Sequence, residues 1–424
     1  MIRFLLFVGL VFTFTAQLGA QTSDNLPLAP AYKGEIRRAA DGSLVTQPEV
    51  DVRPSVSYEA IPARASMVVG PNEKINTITE AAKLARDGEV IEIRPGDYRG
   101  QPAVWTQNNL LIRASGARPV MLADGKSAEG KAIWVVRGNN VRIDNIAFRG
   151  ARVPSGNGAG IRFERGSLPV TRCTFFDNEM GILTANHSDM SLEVVDSEFG
   201  FAPHDANDLH HLLYVGAIGK FVLSGSRFQQ AYLGHLVKSR ARENLVRYNL
   251  LVDGSGGRAS YELEFPNGGI AHVIGNVIGQ SAGTDNPVII AYGAEGQRWP
   301  ENGLYLAHNT VINDANYGIF LKVWVERFAG GVDVWTINNL GVGYGEFTPP
   351  AQGRHEGNRS ISRNELMMQG EIPMRLTGHS SLRGAVRLPG QVHGIDLMPT
   401  AEFNFPVGTR SIRASSQLAP GAFQ

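Results

Sequence analysis

Asn145 begins a four-residue segment, NIAF, that returns as CTFF from Cys173, DSEF from Asp196 and GSRF from Gly225. Later copies are YNLL from Tyr248, GNVI from Gly275, HNTVI from His308 and NNLGV from Asn338, aligned on Asn249, Asn276, Asn309 and Asn338. Short apolar segments with Gly or Asn turns at irregular steps of about 20–40 residues are typical of β-solenoid coils, whereas a helical repeat needs long segments of 3.6-residue period. The repeat therefore predicts an all-β fold, a single-stranded, right-handed parallel β-helix.

The composition is that of a folded protein with no electrostatic preference for nucleic acid. The chain has 424 residues, of which 43% are hydrophobic and 19% charged, and its formal net charge is zero. These values exclude a disordered chain and give no reason to expect nucleic acid as a partner. Because a solenoid grows by adding coils, we expect one long domain rather than several.

The N-terminus has the pattern of a secretory signal peptide. Arg3 supplies the positive charge, Phe4 to Phe14 the apolar run, and Ala20 ends a cleavage site at residues 18–20. The apolar run is too short for a membrane span, and the single cysteine, Cys173, allows no intramolecular disulfide. We therefore predict a periplasmic or secreted bacterial protein with no membrane span in the mature chain.

Four segments follow from these patterns. Residues 1–20 are the predicted signal peptide, 21–66 an extended arm or linker, 67–345 the β-helix, and 346–424 C-terminal loops and a cap. Within the third segment, Thr77 and Glu80 have the spacing of a capping box, and Gly88 can end the helix that they begin. This short N-terminal helix would cover the open end of the solenoid core.

The helix and the turn after it resemble the opening of the pectate-lyase-like β-helix superfamily. The chain has Ala81, Ala82, Ala85 and Gly88 in an "AA-x-x-A-x-x-G" pattern, followed by the Pro-Gly-x-Tyr turn at 95–98. The end, 418–423, is similar to the closing strand of such folds. The resemblance implies the superfamily's fold and does not specify an activity.

One wall of the predicted coil carries charged residues on adjacent turns. Since side chains alternate along a strand, Leu213, Val215, Val237, Leu263 and Phe265 would face inward. Tyr214, Lys238 and Glu264 would then form one outward column, at about 4.8 Å per turn, with Arg240 and Glu262 beside it. By the same alternation, His235 would face the opposite side from Lys238.

The sequence around Lys238 resembles polysaccharide lyase family six, the alginate lyases and chondroitinase B. Val237-Lys238-Ser239, Arg247-Tyr248-Asn249 and Gly275-Asn276 match the "VKS…RYN…GN" track of that family. The resemblance implies that Lys238 is the base of a β-elimination. The family's Arg-His-Gly is replaced by residues 263–265, and its Glu-x-Glu calcium ligands have no counterpart before Lys238.

The residue types fit β-elimination on an acidic, uronate-containing polysaccharide. That reaction needs a base, a cation for the carboxylate and a donor for the leaving oxygen. We expect Lys238 as the base, with like charge from Arg240 and Arg242 favouring its neutral amine, and either arginine on the carboxylate. Tyr214 or His211 would donate the proton, and Asn267 lies in a turn that could meet the substrate.

Other chemistries use the same residues. Glu262 and Glu264 could hold a calcium ion, or they could act as the carboxylate pair of a glycoside hydrolase. A uronate epimerase would share the proton abstraction with a lyase. A non-catalytic carbohydrate-binding or structural β-helix is the remaining alternative. Glu295, one strand further along, is a weaker candidate for the groove.

Overall fold

The computed structural model describes residues 36–38, 44–46, 64–204, 210–284, 286–370, 372–412 and 418–424. Its contacts divide the chain after Pro48 into two units. In the first unit, strand Ile36–Arg38 pairs antiparallel with Leu44–Thr46. The predicted signal peptide at 1–20 and most of the predicted arm at 21–66 lie outside the described residues, so both stay predictions.

Within the described ranges, the coil of the second unit consists of three sheets of parallel strands, which we call walls. The twelve-strand wall contains Met67–Val69, Val90–Ile93, Leu111–Ala114, Arg142–Asp144, Ser167–Thr171, Ser191–Val195, Lys220–Ser224, Glu243–Arg247, Ile270–Ile274, Gly303–Ala307, Asp333–Ile337 and Arg354–Glu356. The eleven-strand wall contains Asp97–Arg99, Val120–Leu122, Ala147–Arg149, Thr174–Phe176, Glu198–Gly200, Arg227–Gln229, Leu250–Val252, Val277–Gln280, Thr310–Asn313, Leu340–Val342 and Arg359–Ile361. The nine-strand wall contains Ala103–Trp105, Ala132–Val136, Ala159–Phe163, Met180–Thr184, Leu213–Val215, His235–Ser239, Tyr261–Phe265, Val288–Tyr292 and Ile319–Val323.

Each strand of a wall pairs in parallel with the equivalent strands of the turns before and after it. Successive turns therefore stack into a right-handed parallel β-helix, which confirms the fold predicted from the repeat. The parallel pairing continues beyond residue 345, since Arg354–Glu356 and Arg359–Ile361 still extend two of the walls.

Stacked aromatic rings fill the core beside the eleven-strand wall. Phe148, Phe175, Phe199 and Phe228 occupy paired positions on four successive turns, and their ring centroids are 5.1, 4.6 and 4.5 Å apart. All four belong to the copies of the repeat that begin at Asn145. The first four copies of the repeat thus mark the aromatic residues that stack in the core.

A ladder of buried asparagines runs along one corner of the coil. Asn249 donates through its backbone and side-chain amides to Asn276, and Asn276 does the same to Asn309. Asn309 continues the ladder to Asn339 rather than to Asn338, so the last copy of the repeat is shifted by one residue from the sequence alignment. Asn338 instead adopts a left-handed backbone (φ 56°) and contacts His308.

Helix Ile78–Leu84 covers the N-terminal end of the core, as predicted. The Glu80 backbone N–H donates to the Thr77 hydroxyl at 3.2 Å, which caps the helix. The buried residues of the helix are Ile78, Ala81 and Ala82. These residues shield the first turn of the solenoid from water, a requirement of any stacked coil.

Thr77→Ala is expected to lower the free energy of unfolding by about 1 kcal/mol, because the Glu80 N–H loses its acceptor. Thermal or denaturant unfolding would measure the change. Thr77→Ser keeps the hydroxyl and should match the unsubstituted chain. An equal loss in both variants would show that the cap is not what stabilises this end.

The C-terminal part packs on the outside of the coil. It contains the 3-10 helix Arg363–Glu365 and three antiparallel pairs: Leu366–Gln369 with Ile372–Leu376, Gln391–Val392 with Ile395–Asp396, and Ala401–Phe403 with Thr409–Ser411. Another 3-10 helix, Val325–Arg327, follows strand Ile319–Val323 within the coil. Ala419, Ala422 and Phe423 are buried in a cluster with Leu250 and Val277 of the eleven-strand wall. Residues 418–424 form no strand, so the chain end seals this face without extending a sheet. Among the described residues, no helix is long and apolar enough to cross a membrane.

Candidate functional site

The outward column predicted on the nine-strand wall is present. Tyr214 is paired in register with Lys238, and Lys238 with Glu264. The neighbouring Val237 and Leu263 are fully buried in the core. The three polar side chains therefore lie one above another on the outer face, at the spacing of successive turns.

Strict alternation fails in the first half of strand His235–Ser239 and of the strand Tyr261–Phe265 that pairs with it. His235 pairs with Tyr261 and Val237 with Leu263, but no pair joins the residues between them. Leu236 and Val237, which are adjacent, both belong to the same core cluster. The second and third residues of the strand thus face inward, while the first and fourth, His235 and Lys238, share the outer face.

This irregularity corrects the prediction for Glu262. Glu262 occupies the second position, between Leu236 and Ile289 of the adjacent turns, and has 0% exposure. Neither carboxylate oxygen has a hydrogen-bond partner among the described residues. Burial, followed by the nearby carboxyl of Asp253, raises its pKa well above the usual value. A side chain in the core cannot contact a substrate on the outer face, so Glu262 does not flank Lys238.

The same correction applies to the expected calcium pair. Glu264 lies on the outer face and Glu262 in the core, so their carboxylates do not converge on one point. Within the part of the chain that the structure describes, no group of three or more His, Cys, Asp or Glu side chains could hold a metal ion. These residues do not fit a calcium site.

Two carboxylates hold the ammonium group of Lys238. Its Nζ lies 3.1 Å from Glu264 Oε2 and 3.0 Å from Glu295 Oε1, and the residue is only 8% exposed. The sequence had predicted like charge from Arg240 and Arg242 around this amine. The structure places opposite charge in direct contact instead.

The guanidinium of Arg240 donates hydrogen bonds to three residues of the site. Its Nε donates to the Tyr214 hydroxyl at 2.9 Å, and Nη1 donates to Asn267 Oδ1. Both terminal nitrogens donate to the carboxylate of Glu295, with Nη2–Oε1 at 2.9 Å. Burial opposes ionisation of Glu295, but the hydrogen bonds from Arg240 and Lys238 outweigh it and lower its pKa to about 2. Glu295 is therefore a carboxylate clamped between two cations.

A second group of polar residues lies beneath Lys238. His235 Nε2 is 3.4 Å from Glu264 Oε2, and His235 Nδ1 is 2.7 Å from His211 Nδ1. Burial raises the pKa of Glu264, with Lys238 opposing the shift. Burial also lowers the pKa of His211 to about 3, and that of His235 well below its usual value. Both imidazoles are neutral at ordinary pH.

Arg242 lies outside this cluster, contrary to its predicted role on the substrate carboxylate. Its side chain is 48% exposed, and its guanidinium lies 3.4 Å from Glu243. It lines a separate groove of about 600 Å³ with Lys220 and His272 of the twelve-strand wall. The turn at 240–242 directs the two arginines to different walls.

The structure thus brings together Lys238, Tyr214, Arg240, Glu264, His211 and Asn267, and it separates Glu262 and Arg242 from them. It adds Glu295, which the sequence ranked low, and His235, which alternation placed on the wrong side. The signal for Glu295 was weak because it follows strand Val288–Tyr292 in a turn between Gly293 and Gly296, both with left-handed backbones. That turn folds the carboxylate back over the preceding coils.

Comparisons with known proteins bear on the fold. No family model matches the chain, and no curated protein matches it. Among solved structures, that of pectate lyase Pel9A is similar over 85% of this chain and 97% of its own, with a TM-score of 0.53 and 14% identity. That of the Escherichia coli protein YbhC covers 83% of this chain and 99% of its own, with a TM-score of 0.32 and 11% identity, a likeness too weak to argue from. At 14% identity the first likeness concerns architecture alone, and on it the chain has the pectate-lyase-like parallel β-helix fold.

Proposed function

We propose that this protein is an exported, polysaccharide lyase-like enzyme that cleaves an acidic, uronate-containing polysaccharide by β-elimination. The observation that carries the proposal is the clamped carboxylate of Glu295. Lys238 and Arg240 grip it on the outer face of the wall, with Tyr214 next to Arg240. A uronate carboxylate has the same charge and shape, so it can take the place of Glu295 on Arg240 and leave Lys238 for the proton transfer. Export rests on the predicted signal peptide at 1–20.

The chemistry assigns one role to each outer residue. Arg240 holds the substrate carboxylate and stabilises the negative charge that develops when the adjacent C–H bond is broken. The Lys238 amine takes that proton, and the electron pair forms a carbon–carbon double bond as the bond to the leaving oxygen breaks. The Tyr214 hydroxyl accepts a hydrogen bond from Arg240, which leaves its own proton to be given to the leaving oxygen. The local resemblance of residues 237–239 to polysaccharide lyase family six supports the role of Lys238.

The alternatives differ in what they require. Hydrolysis by Glu262 and Glu264 needs two carboxylates that face one glycosidic bond, and these two lie on opposite faces of their strand. A binding protein needs only the cations and Asn267. An epimerase would use the same proton abstraction but would leave no double bond in the product.

The test is to incubate the purified protein with a panel of uronate polysaccharides, with and without calcium. Ultraviolet absorbance reports the unsaturated product of elimination, and a reducing-end assay reports any chain cleavage. Elimination products would support the proposal. New reducing ends without absorbance would replace it by hydrolysis, and neither signal would leave carbohydrate binding as the function.

Arg240→Gln is expected to lower kcat/KM by about 100-fold, because it removes the cation that stabilises the developing charge. Arg242→Gln is the matched control, since Arg242 lies two residues away and on another wall. It should retain the activity of the unsubstituted enzyme. Equal losses in the two variants would contradict the assignment of the substrate carboxylate to Arg240.

Glu295→Gln is expected to lower KM by about 10-fold, which corresponds to about 1.4 kcal/mol. The amide binds Lys238 and Arg240 less strongly than a carboxylate does, so the substrate displaces it at a smaller cost. Steady-state kinetics and calorimetric binding of a uronate oligosaccharide would measure the change. An unchanged or higher KM would show that the substrate does not compete with Glu295.

A further inference from the structure

Three rings stack on the outer face of the nine-strand wall, next to the column of Lys238. The ring centroids of His211 and His235 are 4.4 Å apart, and those of His235 and Tyr261 are 5.0 Å apart. His235 is almost fully buried between its two neighbours. This packing fixes the ring planes, so the ring nitrogens have defined partners.

The hydrogen bonds determine which nitrogen of each histidine carries the proton. The His235 backbone N–H donates to His211 Nδ1 at 3.0 Å, so that nitrogen is an acceptor and His211 carries its proton on Nε2. The 2.7 Å contact between the two Nδ1 atoms needs one proton between them. That proton must belong to His235, whose Nε2 is then a bare lone pair.

The lone pair of His235 faces the carboxyl group of Glu264 at 3.4 Å. Two lone pairs opposed in a buried site repel each other, and a proton on either partner turns the repulsion into a hydrogen bond. Lys238 Nζ lies 3.1 Å from the same oxygen, Glu264 Oε2. An unbroken series of contacts therefore leads from the Lys238 ammonium through Glu264 to His235 and His211.

We propose that Glu264 and His235 form a proton relay that takes one proton from the ammonium of Lys238 and leaves its amine free to act as the base. The inference rests on the proposed elimination. An N–H bond of Lys238 breaks as an O–H bond forms at Glu264 Oε2, and this O–H donates to the lone pair of His235 Nε2. In the following elimination Lys238 gains the proton of the substrate C–H bond and Tyr214 gives its own to the leaving oxygen. Lys238 then returns a proton to the Tyr214 phenolate, so Glu264 and His235 end each cycle unchanged.

The charged groups around the relay favour a protonated Glu264 next to a neutral His235. Lys238 and Arg240 face His235 and disfavour a second positive charge on it, and His210 acts likewise on His211. Glu295 disfavours a second negative charge near Glu264. Tyr214 and Tyr261 complete the wall as ring contacts of His211 and His235.

The first test needs no substrate. Nitrogen-15 and carbon-13 NMR of the whole chain should show His211 protonated on Nε2, His235 protonated on Nδ1, and a protonated Glu264 carboxyl at neutral pH. Neither histidine should titrate near its usual value of about 6.5. A proton on His235 Nε2, or an ionised Glu264 beside a neutral His235, would overturn the relay.

The second test compares Glu264→Gln with Glu243→Gln, a change at an exposed glutamate of the neighbouring wall. The amide that Glu264→Gln introduces can still donate to His235 but cannot take a proton from Lys238. We expect kcat of Glu264→Gln to fall by about 100-fold at neutral pH, with partial recovery at alkaline pH and little change in KM. Glu243→Gln should behave as the unsubstituted enzyme.

A Glu264→Gln pH–rate profile equal to that of the unsubstituted enzyme, even with a lower Tm, would overturn the relay. If the unsubstituted protein eliminates no substrate, the proposed function fails, while the NMR result still decides whether the shared proton exists.

Discussion

Lys238→Arg is expected to lower kcat for elimination by about 1,000-fold or more, although the positive charge at the site is kept. A guanidinium stays protonated at any pH that the protein tolerates, so it cannot remove a proton from the substrate. It can still pair with Glu264 and Glu295, which now contact the Lys238 ammonium at 3.1 and 3.0 Å. The substitution therefore separates the role of a base from the role of a cation.

The measurement is the rate of ultraviolet absorbance increase together with the affinity for a uronate oligosaccharide. The affinity should change little, since Arg240 still binds the carboxylate. Lys322→Arg is the matched control, because Lys322 lies in the same outward column, next to Ala291 of the turn after Glu264. Its activity should equal that of the unsubstituted enzyme. If Lys238→Arg kept its kcat within about 10-fold, another group would have to be the base.

The fold was predictable because its cause is local and repeated. Each turn needs one strand that buries a side chain in the core and one corner that satisfies its backbone polar groups. The earlier copies carry an aromatic ring at the buried position, and the later copies carry an asparagine at the corner. Phe148, Phe175 and Phe199 follow the first need, and Asn249 and Asn276 the second. A pattern repeated eight times outweighs the ambiguity of any single short strand.

The outward column was predictable for a similar reason, but only in half of each strand. Strict alternation from Leu263 places Glu264 outward correctly, whereas the irregularity before Leu263 reverses the side of Glu262. The sequence did contain a signal: Leu236-Val237 and Ile289-Ile290 are adjacent apolar pairs that an alternating strand would not bury together. At Tyr261–Phe265 a carboxylate occupies one member of that pair and hides the pattern.

The contacts of Glu295 could not be derived from spacing. Its carboxylate meets Lys238 and Arg240 across 57 and 55 residues, through a turn whose direction depends on Gly293 and Gly296. The backbone path of that turn decides which charged side chain after the strand contacts residues of the preceding turns. Residue type alone therefore predicted the two cations of the site, Lys238 and Arg240, but not that Glu295 is the carboxylate that binds both.

Glu262→Leu is expected to raise the free energy of unfolding at neutral pH by about 1–3 kcal/mol, the usual cost of a buried polar group without a partner. Leucine has a similar volume and would pack between Leu236 and Ile289 without the two unpartnered oxygens. The carboxyl must stay protonated in the core, since ionising it there without a partner is far more costly than in water. In the unfolded chain the same group ionises freely above a pH of about 4.3.

The sign of the pH dependence follows from that difference. A raised pKa in the folded state means that the folded chain holds the proton more tightly, so the stabilisation is complete below the unfolded value and is lost as the pH rises through the folded value. Asp253, whose pKa burial raises to about 7, contributes a loss of the same sign in both chains. Melting temperatures at several pH values between about 4 and 8 should therefore diverge, with the Glu262→Leu variant gaining most at the alkaline end.

Glu262→Gln separates the effect of titration from the effect of burying a polar group, because it removes the titration but keeps a buried polar group. If Glu262→Leu melted in parallel with the unsubstituted chain at every pH, the carboxyl would not lie unpaired in the core.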